Sequence, residues 1–271
     1  MRVSQRTLCS IAGLMFAHSA WAADMAVKAP PPAPVPIFSW TGFYAGVNAG
    51  GAWGDNAVTY TPLYTGAPPP GLQAFAAASG SPNFHPSGFT GGGQAGYNWQ
   101  WSQWVVGIEA DINYARLASS LNSGILNFPG TAPFFFQTST TTNWMATVRP
   151  RVGYSFNHVL FYATGGLAVA DLNFAQSVTF LTGGANAITA GSASSTRAGW
   201  TVGGGVEYAF APHWSAKVEY FHSDFGNLGF APAFQNNPFI SSTSNARFRT
   251  DVARVGVNYN FGWGGPVVAK Y

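Results

Sequence analysis

From Arg254 to Phe261 the chain alternates without a break. Val255, Val257, Tyr259 and Phe261 share one parity, and Arg254, Gly256, Asn258 and Asn260 share the other. A period of two belongs to an extended strand, whose successive side chains point to opposite faces. Here the apolar side ends in two aromatic rings, while the polar side carries an arginine, a glycine and two amides. A half-buried strand of a water-soluble sheet also alternates, so the octet constrains the fold only if other stretches repeat it.

Seven others do. Phe43, Ala45, Val47 and Ala49 oppose Tyr44, Gly46, Asn48 and Gly50. Phe89, Gly91, Gly93, Ala95, Tyr97 and Trp99 oppose Thr90, Gln94, Asn98 and Gln100, and Trp104 to Tyr114 sets Val106, Ile108 and Ile112 against Glu109, Asp111 and Asn113. A fourth stretch sets Trp144, Ala146, Val148, Val152, Tyr154 and Phe156 against Asn143, Thr147, Arg149 and Arg151. The fifth, Val159 to Val169, alternates less cleanly, with Phe161, Ala163, Leu167 and Val169 assigned outward and Tyr162 and Thr164 inward. Trp200, Val202, Val206, Tyr208 and Phe210 then oppose Thr201 and Glu207, and Trp214, Ala216, Val218 and Tyr220 oppose Lys217 and Glu219.

Charged residues are only 8% of the chain and aromatics are 16%, against roughly 25% charged in an ordinary globular protein. After the first two dozen positions no apolar run reaches the roughly 18 residues that a spanning helix needs. A charge-poor, aromatic-rich chain without a hydrophobic helix points to strands that cross a membrane, apolar side to lipid and polar side inward. The expected fold is all-β, an eight-stranded antiparallel up-and-down transmembrane β-barrel. A secreted β-sandwich is the competing fold.

The connections separate the two. Ser102-Gln103, Asn157-His158 and Ala211-Pro212-His213 are short, and they alternate with long segments, to about residue 87, from Ala115 to Thr141, from Val169 to Ala198 and from Ser223 to Ala246. Directly paired residues share a face, so centring each short turn pairs Trp101 with Trp104, Phe156 with Val159, and Phe210 with Trp214. All are outward, and two pairs are aromatic on both sides. That gathers rings at one rim, as an interfacial girdle does and a sandwich does not. Trp101, Trp104, Phe156, Phe210, Trp214, Tyr259 and Phe261 are therefore assigned to a periplasmic girdle.

The N-terminus reads as a secretory signal over residues 1–22, with Arg2 and Arg6 basic, Leu8 to Phe16 apolar, and Ala20-Trp21-Ala22 as the cleavage site. Its removal takes Cys9 with it, leaving no cysteine for a disulfide or thiol site. It also lowers the formal charge from +3 to +1, since Arg2 and Arg6 are lost, so the basic balance is no argument for nucleic acid. Residues 23–37 are a Pro-rich periplasmic linker, 38–262 the barrel, and 263–271 a Gly-rich tail.

Parity sends Glu109, Asp111, Glu207 and Glu219 into the lumen together with Arg149, Arg151, Lys217 and Arg254. Strand neighbours set Glu207 opposite Lys217, Glu219 near Arg254, and both arginines of 149–151 beside Glu109 and Asp111. Eight strands enclose a space that side chains just fill, and buried charges must be paired there. The balance of four acids and four bases favours a structural ion network in a plugged barrel over a narrow ion path.

Two patterns resemble chemistry. Gly91-Gly92-Gly93-Gln94-Ala95-Gly96 matches a dinucleotide fingerprint by letter, but that motif needs a following helix, and here it runs into Tyr97 and Trp99. Its glycines fit barrel curvature or close packing instead. His222-Ser223-Asp224 invites comparison with outer-membrane lipid-A deacylases, yet adjacent strand positions face opposite ways. His85, His158, His213 and His222 are scattered without metal-ligand spacing. No catalytic residue, cofactor or metal is assigned.

Trp40-Thr41-Gly42-Phe43-Tyr44-Ala45-Gly46, Ala163-Thr164-Gly165-Gly166-Leu167-Ala168, Lys217-Val218-Glu219-Tyr220 and the terminal Gly264-Gly265-Pro266-Val267-Val268-Ala269-Lys270-Tyr271 resemble the small alphaproteobacterial outer-membrane barrels of the RopB and opacity-protein type. The resemblance implies a barrel like the membrane half of OmpA, in the outer membrane of a Gram-negative bacterium, and a porin-like or surface-antigen role. Arg254, Gly256, Tyr259 and Phe261 likewise resemble the C-terminal signal read by the barrel-assembly machinery. The expected function is a non-enzymatic structural and surface-interaction barrel. Its expected partners are outer-membrane lipid and lipopolysaccharide, with Arg116, Arg197, Arg247 and Arg249 near lipid phosphates, and an extracellular ligand on the loops. A narrow porin and a lipid hydrolase are the alternatives.

Overall fold

The computed structural model describes residues 38–184, 186–231 and 240–262. The signal sequence, the Pro-rich linker and the tail from residue 263 lie outside them. In chain order the elements are β1 (Gly42–Gly54), β2 (Asn56–Tyr64), α1 (Leu72–Ser79), β3 (Asn83–Phe84), β4 (Ser87–Trp101), β5 (Trp104–Asn122), β6 (Phe134–Phe156), β7 (Val159–Phe180), β8 (Ala187–Ala211), β9 (Trp214–Phe230) and β10 (Ile240–Asn260). β1 and β4 to β10 form an antiparallel ring, closed by β1 on β10 from Tyr44↔Asn260 to Gly54↔Thr250. Closure leaves no open sheet edge within the membrane, where no water would satisfy one.

The faces follow parity through the membrane band. Val47, Trp53, Phe89, Ile112, Val152, Trp200, Val218 and Val255 are exposed, while Tyr44, Asn48, Gln94, Asn98, Thr147, Glu207 and Asn258 are buried. On β5 the outward apolar series runs from Trp104 to Tyr114 and then meets Arg116. Asn143, Asp171, Thr196 and Asp55 end the apolar series on β6, on β7, on β8 and after β1. Together they mark the extracellular border of the band.

Above that border the pattern inverts. Leu172, Phe174 and Val178 of β7, Phe134 and Phe136 of β6, and Ala246 and Phe248 of β10 are buried in the lumen, while Asn173, Ser177, Gln137 and Arg247 face out. The cause is a change of outer solvent from lipid to water, which makes the interior the apolar side. β6 reverses its face with a bulge. Thr142 pairs with Leu172 and Met145 with Ala170, so Asn143 and Trp144 together stand opposite Asp171. Asn143, expected inward, is therefore exposed and donates to Asp171 Oδ2 at 3.0 Å.

The long connections are a second correction. Most of the segments 115–141, 169–198 and 223–246 continue the strands beyond the membrane rather than forming loops. Between β1 and β4, β2 prolongs β1 along β10 from Ala57↔Arg247 to Tyr64↔Ile240. α1 folds over the barrel mouth, with Leu72 and Ala76 packing on Tyr60, Phe134, Phe136 and Val178. Burial pushes the Tyr60 phenol up to about 12.

At the periplasmic rim, Trp101↔Trp104 and Phe156↔Val159 pair directly. Ser102 and Asn157 open those turns with positive φ, 54° and 53°, as a II′ hairpin requires. The third turn differs. Ala209 pairs with Ser215 and Ala211 with Trp214, leaving Phe210 as a bulged residue rather than the partner of Trp214. Both rings still face outward.

Candidate functional site: the filled lumen and the lipid-facing wall

The lumen is occupied in layers. Nearest the periplasm Trp40 is buried with Val105, Leu160, Tyr162 and Ala209, and Phe38 packs against them. The Trp40 indole donates to Ser155 Oγ at 2.9 Å and its backbone amide to Gln100 Oε1 at 2.7 Å. β1 begins at Gly42, and the Trp40 indole ahead of it folds into the mouth.

Above it lies the charged layer. Arg149 meets Glu109 and Asp111 at 3.0 Å each and Glu219 at 3.2 Å. Arg254 meets Glu219 at 2.7 Å and Asp111 at 3.1 Å. Arg151 meets Glu207 at 3.1 Å and Glu109 at 3.6 Å. Glu207 and Lys217 are register partners, yet Lys217 crosses the lumen to Glu109, with Nζ 2.7 and 2.8 Å from its two oxygens. Glu207 is completed by Ser215 Oγ at 2.6 Å and Asn258 Nδ2 at 2.8 Å. All eight charged side chains are essentially excluded from water. Such burial is tolerable only because each charge meets opposite charges and hydrogen-bond partners.

Aromatic rings hold the cations in place. The guanidinium groups of Arg149 and Arg254 both lie over Phe221, 4.6 and 4.8 Å from its centroid. Arg151 is held between Tyr44 and Tyr162, at 4.6 and 5.2 Å, and their hydroxyls donate to Glu109 and Glu219 at 2.8 and 3.2 Å. The faces of these rings attract cations. Gly96 and Gly205 make room for the two phenols, since a Cβ at either position would strike Tyr44 or Tyr162. The last glycine of the Gly91–Gly96 run thus serves close packing. Phe221 is the member that sequence reasoning missed. Its parity, two positions from Glu219, was the available signal.

Next comes an apolar layer of Leu117, Met145, Leu172, Phe174, Phe221, Phe225 and Phe248, and then the cap under α1. Among the described residues, polar, charged and apolar layers thus follow one another from mouth to mouth.

On the outer wall, the seven aromatics assigned to the rim are all exposed. Trp214 and Tyr259 pack edge to face at 5.1 Å, as do Tyr259 and Phe261 at 5.1 Å, and Phe43 joins Phe261 at 5.7 Å. In the last octet, Arg254 and Gly256 face in, and Tyr259 and Phe261 face out. Near the extracellular border, Arg116 and Arg197 are exposed, while Arg247 and Arg249 reach Asp224 at 2.8 and 3.4 Å. One outward feature was not expected. Asp251 of β10 accepts a hydrogen bond from Tyr220 Oη at 2.7 Å and lies 2.8 Å from His222 Nδ1, both on β9. Ser223 is buried on the opposite face. Among the described residues, no group of three or more His, Cys, Asp and Glu side chains is arranged to hold a metal.

Comparison with known proteins agrees with this architecture. Residues 19–261 match the outer membrane protein beta-barrel domain. The chain is 39% identical over 259 residues to the 31 kDa outer-membrane immunogenic protein of Brucella melitensis, covering 94% of this chain and 98% of that protein. It is 30% identical over 197 residues to the 22 kDa outer membrane protein of Rhizobium leguminosarum bv. viciae, covering 71% and 68%. Among solved structures, Neisserial surface protein A aligns over 82% of this chain and 98% of its own, at 14% identity and a TM-score of 0.35. The relatives are named as outer-membrane proteins without an enzymatic activity. By its strand ring, its lipid-facing wall and these relatives, the chain is an outer-membrane protein with a surface or envelope role, and it belongs to the outer membrane protein β-barrel family.

Proposed function

We propose that this protein is a closed, non-enzymatic barrel that stabilises the outer membrane and presents its extended strands and cap at the cell surface. The filled lumen carries the reading. A conducting path would have to pass the Trp40 mouth, a charge-balanced layer locked by ion pairs, an apolar layer and the α1 cap. Against a lipid hydrolase, His222 and Ser223 stand on opposite faces, so that serine is out of reach as a nucleophile for a lipid-side substrate.

Lipopolysaccharide is the partner best matched to the outer wall. Arg116 and Arg197 stand at the border without an ion-pair partner among the described residues, where they are free to form charge-assisted bonds to phosphate. Arg247 and Arg249 are already held by Asp224, so they contribute less. The barrel-assembly machinery is the partner during insertion, through the last octet. Deleting the gene should raise sensitivity to detergents while leaving uptake of a small sugar unchanged. Slower uptake with unchanged detergent sensitivity would favour a porin.

A further inference from the structure

The Tyr220–Asp251–His222 group is out of place on a wall built to meet lipid. Tyr259 and Asp251 lie on β10 eight residues apart, about 20 Å along the membrane normal for a rise of about 3.3 Å per residue and a tilt of about 40°. In an apolar band about 25 Å tall, that puts Asp251 just beneath the extracellular interface. The register agrees, because Asp251 pairs with Trp53, the last outward aromatic of β1, and Trp200 packs against His222 at 5.6 Å. Arg249, two residues further along the strand, stands one step nearer the cell surface.

Directly below, the wall is hollow. Ala253 and Gly204 flank Tyr220 in register, and a groove of about 540 Å³ continues downward between Val47, Ala49, Val206, Ala216, Val218 and Val257. Small side chains on β1, β9 and β10 floor it. Hydrogen-bonding group and apolar groove therefore follow one another down a single lane, with Arg249, its charge shared by Asp224, at the top.

We infer that this lane is a binding site for one acyl chain of lipopolysaccharide, with its amide or hydroxyl group at Tyr220, Asp251 and His222 and its hydrocarbon in the groove. The carboxylate accepts from an amide N–H or a hydroxyl, the tyrosine oxygen, its own proton given to Asp251, accepts from a second such donor, and Arg249 lies toward the phosphorylated sugar. A glycerophospholipid carries ester linkages at this depth, with no N–H to offer the carboxylate. The inference rests on the envelope-barrel reading. Conduction by the folded barrel would overturn that reading without changing lipid retention, so the two fail separately.

The test is native mass spectrometry of the full-length folded protein exchanged into mild detergent with rough-type lipopolysaccharide or phosphatidylethanolamine. Wild type should retain one lipopolysaccharide, and Asp251→Ala and Ala49→Phe should each lower that retention at least tenfold. Ile112→Phe, on the β5 wall, should leave it unchanged, and heat-modifiable gel mobility confirms that each variant is folded. Equal retention by wild type and either lane variant overturns the site. So does phosphatidylethanolamine held as well as lipopolysaccharide and lost with the same substitutions.

Discussion

At the scale of single residues, the charged layer is a set of mutual obligations. Arg149 satisfies three carboxylates at once, so Arg149→Ala leaves them competing for Arg254, Arg151 and Lys217. Removing one partner of a buried pair costs on the order of 3–5 kcal/mol, and Glu207→Ala should fall at the lower end of that range, because it leaves Arg151 only one carboxylate, Glu109 at 3.6 Å. Gln73→Ala, which loses one bond to the Pro62 carbonyl at the surface of the cap, should cost little. Urea midpoints for refolded barrels compare the three, and equal midpoints would mean that the layer is wet. Parity made the inward position of these charges readable, because Glu109, Asp111, Arg149 and Arg151 alternate with outward Ile108, Ala110, Val148 and Val152. It could not choose partners. Lys217 bypasses its register neighbour Glu207 for Glu109 across the lumen, a contact set by side-chain reach rather than by strand spacing. The Asp251–His222 contact escaped for a related reason, since its members lie 29 residues apart on separate strands.

At the scale of elements, the readable strands were those with lipid outside. There, apolar and polar faces differ sharply, and each short turn fixed a register. Above the border the outward face meets water and is built from Ser, Thr, Asn and Gly, as in β8 from Gly191 to Thr196. The contrast fades there and the periodic signal with it, so the extended halves of β5 to β8 looked like loops. The bulge at Asn143 hid the inversion further, because one extra residue reverses every later parity. The last strand bears the assembly prediction. Tyr259→Ala with Phe261→Ala should reduce outer-membrane insertion and leave protease-sensitive periplasmic chain, whereas deleting Val267 to Tyr271 should hurt less. Cell fractionation with heat-modifiable mobility reads both, and the opposite ranking would move the signal into the tail. The cap makes a separate prediction. The Tyr60 phenol is raised from 10.0 to about 12, so its contribution is fully present below about pH 10 and is lost as pH rises through 12. A nitroxide at Gln73→Cys on α1 should therefore gain mobility across that window, and Tyr60→Phe should remove the transition. A transition that survives Tyr60→Phe would assign it to another group.

At the scale of the whole molecule, two solvents shape one barrel. Lipid selects apolar side chains outside and a charged layer inside over one half, and water selects the reverse over the other. Within the described residues, each half then closes its own end, with Trp40 at the periplasmic mouth and α1 at the surface. Closure at both ends makes the barrel shut, which single-channel recording of the purified, folded protein in a planar bilayer can read. A shut barrel leaves the membrane quiet at physiological salt, with no steady unitary steps from monomeric barrels. Reproducible steps on the nanosiemens scale, scaling with the amount of folded protein, would contradict it.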